Sequence, residues 1–157
     1  MSTGPVRWLA LVAAALAVGG QNAAAATAHL SGGGTASVAD VAFSQVAMNV
    51  TFADSGSASG SFNCLMAGRS ASVLGGFGLS HIMKVQATPT TGSVAGSIAT
   101  FAGPGFVIMD DGQRANIDVS VWVDVATQQF QLTVLDLAPS PITLQTETFS
   151  SGGVSLR

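Results

Sequence analysis

The chain is 157 residues long, 48% apolar by count and only 8% charged, with five basic residues against eight acidic ones. That apolar content excludes a disordered polar tail, and cations so few and so scattered leave no electrostatic footprint for nucleic acid or an anionic membrane. Cys64 is the single cysteine, which excludes an internal disulfide and leaves stability to core burial and sheet hydrogen bonding.

In chain order, the first element is MSTGPVRWLALVAAALAVGGQNAAAATA, which carries one cation at Arg7, an apolar run from Trp8 to Val18, and an alanine-rich tail. This is the pattern of a secretory signal peptide. The run is shorter than the about 20 helical residues needed to cross a bilayer, and no second apolar run follows as an anchor. Small residues fit cleavage after Ala26 or after Ala28; taking Ala26 divides the chain into a signal peptide, 1–26, and a single domain, 27–157. The expected destination is outside the cytoplasm, secreted or at the cell envelope, with no membrane insertion after cleavage. Arg69, Lys84, Arg114 and Arg157 remain in the mature domain with all eight acids, a net charge of −4.

Beyond this segment the periodicity is that of strands. GGGT at 32–35 lacks a following lysine and an apparent helix, so it is no phosphate loop. QVAMNVTF places Val46, Met48, Val50 and Phe52 on one side, and SFNCLM does the same for Phe62, Cys64 and Met66. The turn residues DSGSASG between them predict a hairpin, with Cys64 a small buried hydrophobe. HIMKVQA aligns Met83, Val85 and Ala87, and SVAGSIATF alternates small and branched residues. The strongest strand is NIDVSVWVDV, where Ile117, Val119, Val121, Val123 and Val125 face one way and Asp118, Ser120, Trp122 and Asp124 the other. Asp111-Gly112 before it predicts a type I′ hairpin turn from FVIM. QFQLTVLDL, PITLQTETF and VSLR supply the last strands, and AGRSAS, TPTTGS, AGPG, ATQQ and APSP read as turns. No window has the period of an amphipathic helix. The expectation is an all-β domain, an antiparallel β-sandwich or flattened barrel of roughly 8 to 10 strands.

Candidate sites are few. Asp110, Asn116 and Asp118 offer hard oxygen ligands that would suit Ca²⁺, but adjacent aspartates without a following glutamate depart from a helix-flanked calcium loop, and the hairpin turn explains the stretch without a metal. No other cofactor is expected. Trp122, flanked along its face by Asp118 and Asp124, could stack on a sugar ring or anchor a protein partner. Two histidines, His29 and His81, and one glutamate, Glu147, permit neither a paired-histidine metal site nor a recognisable carboxylate pair. GSASG has alanine where a nucleophile elbow needs serine. His81, in LSHIMK, has no assignable carboxylate or nucleophile and reads as structural.

GGGT, GSFNCLMAG at 60–68, HIMKVQ, SVAGSIATFAGPG, the Asp-Gly turn and the closing LQTETFSSGGVSL together resemble a group of small exported bacterial proteins, mostly uncharacterised and all-β. The resemblance implies a compact β domain, alone or appended to larger exported proteins, and assigns no activity or functional residue. The functional expectation is an exported, non-catalytic β-domain with a structural, cell-surface or recognition role. A carbohydrate- or calcium-binding module is the alternative, and a hydrolase built on His81 ranks last. The partner would be a protein or a surface polysaccharide, and free sheet edges would allow self-association.

Overall fold

A computed structural model describes residues 26–38, 42–68, 82–136 and 139–157. Most of the segment read as a signal peptide, and His81, lie outside these residues. The elements are β1 (Ala26–Val38), β2 (Ala42–Ala53), β3 (Ala58–Gly68), β4 (Ile82–Ala87), β5 (Thr91–Ala95), β6 (Ile98–Met109), β7 (Arg114–Asp124), β8 (Gln129–Val134), β9 (Ile142–Thr143) and β10 (Glu147–Leu156). No helix occurs among the described residues, as the alternating pattern predicts.

All ten strands belong to one antiparallel sheet in the order β10-β1-β2-β3-β4-β6-β7-β8-β9, with β5 paired to β6 beside this path. Residues 147 and 148 of β10 also pair with Phe130 and Gln129 of β8, so the path returns on itself. With only two residue pairs at the closure, the sheet is ring-like rather than a continuous barrel, and it is one sheet rather than the two layers of a sandwich.

β1 and β10 meet where side chains are absent. A Cβ on Gly34 would lie 2.0 Å from the carbonyl oxygen of Ser151, and one on Gly32 would lie 2.2 Å from that of Gly153; their φ values are 156° and 148°. Such contacts leave room only for glycine, so β1 and β10 approach backbone to backbone along this seam. A register shift after Thr35 leaves Ser150 unpaired in the ladder, and its hydroxyl donates to the Thr35 carbonyl at 3.2 Å. A bulge of this kind sharpens local twist. GGGT is thus the middle of a strand that the sequence pattern does not predict, because glycine and alanine alternate too weakly to be read.

Side chains alternate across the sheet, and the inner set is apolar. Cross-strand rows run Ala36, Ser44, Met66, Met83, Met109, then Val46, Cys64, Val85, Val107, then Met48, Phe62, Ala87. On the far side Ala99, Phe101, Ile117, Val119, Val121, Val123, Phe130, Leu132 and Val134 complete the buried cluster. Phe62 meets Phe101 edge to face across the interior, centroids 5.8 Å apart, an arrangement favoured by the ring quadrupoles. The valine stripe of β7 is buried as predicted from Ile117 to Val123; Val125 falls past the strand end and is only half-buried.

The hairpin turns are more particular than dipeptide rules predict. At the end of β6 the Gly112 N–H donates to Met109 O and the Met109 N–H to Gln113 O, each at 2.9 Å. Only Gly112 has positive φ, 80°. Asp110 and Asp111 therefore occupy the centre of a type I turn closed by a glycine bulge, in place of the expected type I′ turn. The Asp111 carboxylate accepts the Gln113 N–H at 2.9 Å and braces it. The β2–β3 turn repeats the design at Asp54, Ser55 and Gly56, with φ 82° at the glycine. SVAGSIATF is not one strand but β5 and β6, folded over at Gly96-Ser97 with Gly96 at φ 62°, as in a type II′ turn.

AGPG and part of TPTTGS, predicted as turns, lie within strands. Proline fits inside β6 because that strand changes partner there, from β5 up to Ala102 to β4 from Gly105. The Thr88 N–H donates to Pro104 O, so the missing N–H of Pro104 faces the β4–β5 crossover and the ladder to β7 loses nothing. PITLQTETF and VSLR are likewise divided differently: β9 takes two residues, and β10 runs unbroken from Glu147 through SSGG to Leu156.

Candidate functional site

The interior holds two buried polar residues among the described ones, Ser44 and Glu147. The Ser44 hydroxyl donates to Glu147 Oε1 at 2.8 Å, tying β2 to the start of β10. Cys64, one row away, also hydrogen-bonds Ser44. Burial pushes its thiol far above the ordinary range, the Ser44 bond pulls slightly the other way, and Glu147 adds to the rise. The thiol is therefore protonated and enclosed, the opposite of an activated nucleophile.

Chemistry directed at a ligand has to come from the outer face. Among the described residues a groove of about 440 Å³ runs across the outer side of β1–β4, lined by Thr35, Gln45, Ala47, Asn63, Leu65, Lys84 and Ser151. Its origin is a row of small residues beside a row of large ones. Gly33 pairs with Ala47 and Ala47 with Asn63, whereas the next outward row is Thr35, Gln45, Leu65 and Lys84. The Gly34 backbone and Ala47 make the floor and the longer side chains the wall. A smaller hollow of about 260 Å³ shares Asn63 and continues over β4 to Ser61, Gln86, Thr88 and Phe106. Between the two, Gln86 Nε2 donates to Asn63 Oδ1, which leaves Asn63 Nδ2 and Gln86 Oε1 for a ligand. At the far end the Arg114 guanidinium sits 3.9 Å from the centre of the Phe106 ring, a cation–π contact that orients both.

Charge is segregated around this surface. The outward positions described on β1–β4 carry His29, Lys84, amides and hydroxyls, together with the exposed apolar side chains of Phe43, Leu65 and Ile82, and no carboxylate. Asp54, Asp110 and Asp111 are in hairpin turns, Asp118 and Asp124 on β7, Asp136 after β8, and Glu147 is inside. His29 is engaged at its Nδ1 with Thr51 Oγ1, 3.1 Å away.

The residues singled out by sequence are placed apart. Trp122 does point away from the valine stripe, as its position predicts, and is half-buried between Thr100 and Gln131. Asp118 and Asp124 share its face, yet six residues of strand at ~3.3 Å each separate the two by roughly 20 Å. Asp124 works in the β7–β8 turn: it accepts the Ala126 N–H at 3.0 Å and the Thr127 hydroxyl at 2.8 Å. Hydrogen bonds from Ser97 and Thr127 hold its carboxyl below the usual range. Asp118 faces Pro104 across the ladder, with its own N–H bonded to Asp136 Oδ1 at 2.6 Å. Asn116 faces Phe106, and Asp110 is at the hairpin tip with its N–H on Ile82 O. Asp110, Asn116 and Asp118 are thus strung along one hairpin and do not converge. Among the described residues no three His, Cys, Asp or Glu gather as metal ligands.

Sequence reasoning misses the groove. Its only trace is a polar residue at one outward position in each of three predicted strands, Gln45, Asn63 and Lys84, and nothing local says that these three fall in one place. No protein-family model matches the chain, and no curated protein or solved structure does either.

Proposed function

We propose that this chain is an exported, non-catalytic recognition domain that holds a hydroxyl-rich ligand, a surface carbohydrate, in the groove across β1–β4. The observation that carries the reading is the groove itself: about 440 Å³, within the ~300–1,000 Å³ typical of small-ligand sites. Its lining is mostly apolar, with Ala47 and Leu65 among the contacts, and Thr35, Gln45, Asn63 and Ser151 add hydroxyl and amide groups that both donate and accept. Sugar hydroxyls need that mixture. The non-catalytic part of the reading is supported by Cys64, the single thiol, which lies beneath the sheet.

Trp122 supports a second reading, a sugar platform on the opposite side, because Thr100, Ser120 and Gln131 surround it on the outer face. One experiment separates the two. Binding of the purified protein to a panel of polysaccharides is followed by affinity electrophoresis, with Ala47→Trp filling the groove floor and Trp122→Ala removing the platform. Loss of retention in Ala47→Trp alone supports the groove; loss in Trp122→Ala alone moves the site to β7; retention of neither variant nor parent ends the recognition reading.

A further inference from the structure

The charge pattern goes further than the existence of a groove. Among the described residues the cations are Lys84, Arg114 and Arg157, and two of these three occupy one outward cross-strand row, Lys84 facing Ile108 and Ile108 facing Arg114. Strands are ~4.8 Å apart, so the two backbones stand about 10 Å from each other. Lys84 lines the larger hollow, and Arg114 lies over Phe106, which lines the smaller one. The protein as a whole is acidic, yet the described outward positions of β1–β4 carry no carboxylate. Lys84 therefore stands at the β4 end of a groove without carboxylates, and Arg114 stands two strands farther on, on the hairpin that also carries Asp110 and Asp111.

We propose that the groove takes an acidic polysaccharide, one whose rings carry carboxylates, with Lys84 and Arg114 each engaging a carboxylate across Ile108 and the Asn63–Gln86 amide pair, in the next outward row beside Lys84, holding ring hydroxyls. This rests on the groove being the binding site. A chain ligand fits better than a lone anion because the two hollows adjoin at Asn63 and together run from β1 to β6. An extended peptide is disfavoured: adding a strand requires an open sheet edge, and here the floor is mid-sheet, with β1, β2, β3 and β4 paired in sequence. Two cations are also too few for a nucleic-acid backbone, whose binding scales with the number of phosphates neutralised.

The test is titration calorimetry of the purified protein with short oligosaccharides of pectate, alginate and hyaluronate, and with their carboxyl-reduced counterparts. At least one acidic oligosaccharide should bind about tenfold or more tightly than its reduced form, the scale of one charge-assisted hydrogen bond. The difference should shrink as salt is raised past ~0.15 M. Lys84→Met should bring the acidic ligand down to the level of the reduced one, Lys84→Arg should retain most of the preference, and Arg114→Gln should weaken long oligosaccharides more than short ones. Lys84 is exposed, so these variants fold, as a far-ultraviolet spectrum would verify. Equal affinity for acidic and reduced forms, abolished by Ala47→Trp, overturns the anionic ligand while leaving the groove. Absence of binding to every probe overturns both.

Discussion

Gln128 is the one residue other than glycine with positive φ among those described, at 55°, and replacing it with glycine sets two effects of opposite sign against each other. A left-handed conformation costs a non-glycine residue about 1–2 kcal/mol, which Gln128→Gly would recover, less the added chain entropy of glycine at about 0.5–1 kcal/mol. Against that stands the side chain. Its Nε2 donates to Val125 O at 2.6 Å and Val154 O at 3.0 Å, and its Oε1 accepts the Val154 N–H at 2.9 Å. The amide thereby stands in for a neighbouring strand on the edge of β10 that faces away from β1. Three bonds at about 0.5–1.5 kcal/mol each outweigh the strain relieved, so Gln128→Gly should destabilise the protein by roughly 1–3 kcal/mol. Urea unfolding followed by Trp122 fluorescence reads the change, and amide exchange at Val154 localises it. Gln128→Asn keeps a residue that tolerates the left-handed region but is one methylene too short, and should lose nearly as much. If the glycine variant were as stable as the parent, strain would dominate and the clasp between the β7–β8 turn and β10 would contribute nothing.

Removal of an interior ring tests whether the ring-like sheet encloses a packed core. Phe62→Ala should cost about 3–5 kcal/mol, and a double-mutant cycle with Phe101→Leu should return a coupling of about 0.5–1.5 kcal/mol; a cost below about 1 kcal/mol would mean a loose interior. Cys64 should resist thiol reagents in the folded protein, because the thiol is buried and held protonated, and should react at the rate of global opening; fast labelling without denaturant would contradict the packing. Asp124 has a folded-state pKa below its unfolded value of 3.8, so its contribution is present above that pH and is lost as pH falls through the depressed value. Asp124→Asn should accordingly flatten the acid limb of the stability curve below about pH 4, and an unchanged acid limb would show the turn bonds to be without weight.

The alternating residues of β2, β3, β4, β7 and β8 were readable from sequence because a period of two with large apolar side chains admits one inner face, whichever strands become neighbours. All-β character and the burial of Phe62, Cys64 and the stripe from Ile117 to Val123 followed from that pattern alone. What depended on tertiary structure was everything set by register. A one-residue slip would turn each outer residue inward, and no local signal places Gln45, Asn63 and Lys84 side by side or draws Gly34 against Ser151. The strand through GGGT was invisible because its evidence is the absence of side chains, which acquires meaning only when another backbone occupies the space. Turn type, the tolerance of Pro104 and the clasp of Gln128 belong to the same class, since each depends on which hydrogen-bonding edge faces a partner. Periodicity determined which residues are inside; pairing between segments far apart in the chain decided what the outside can hold.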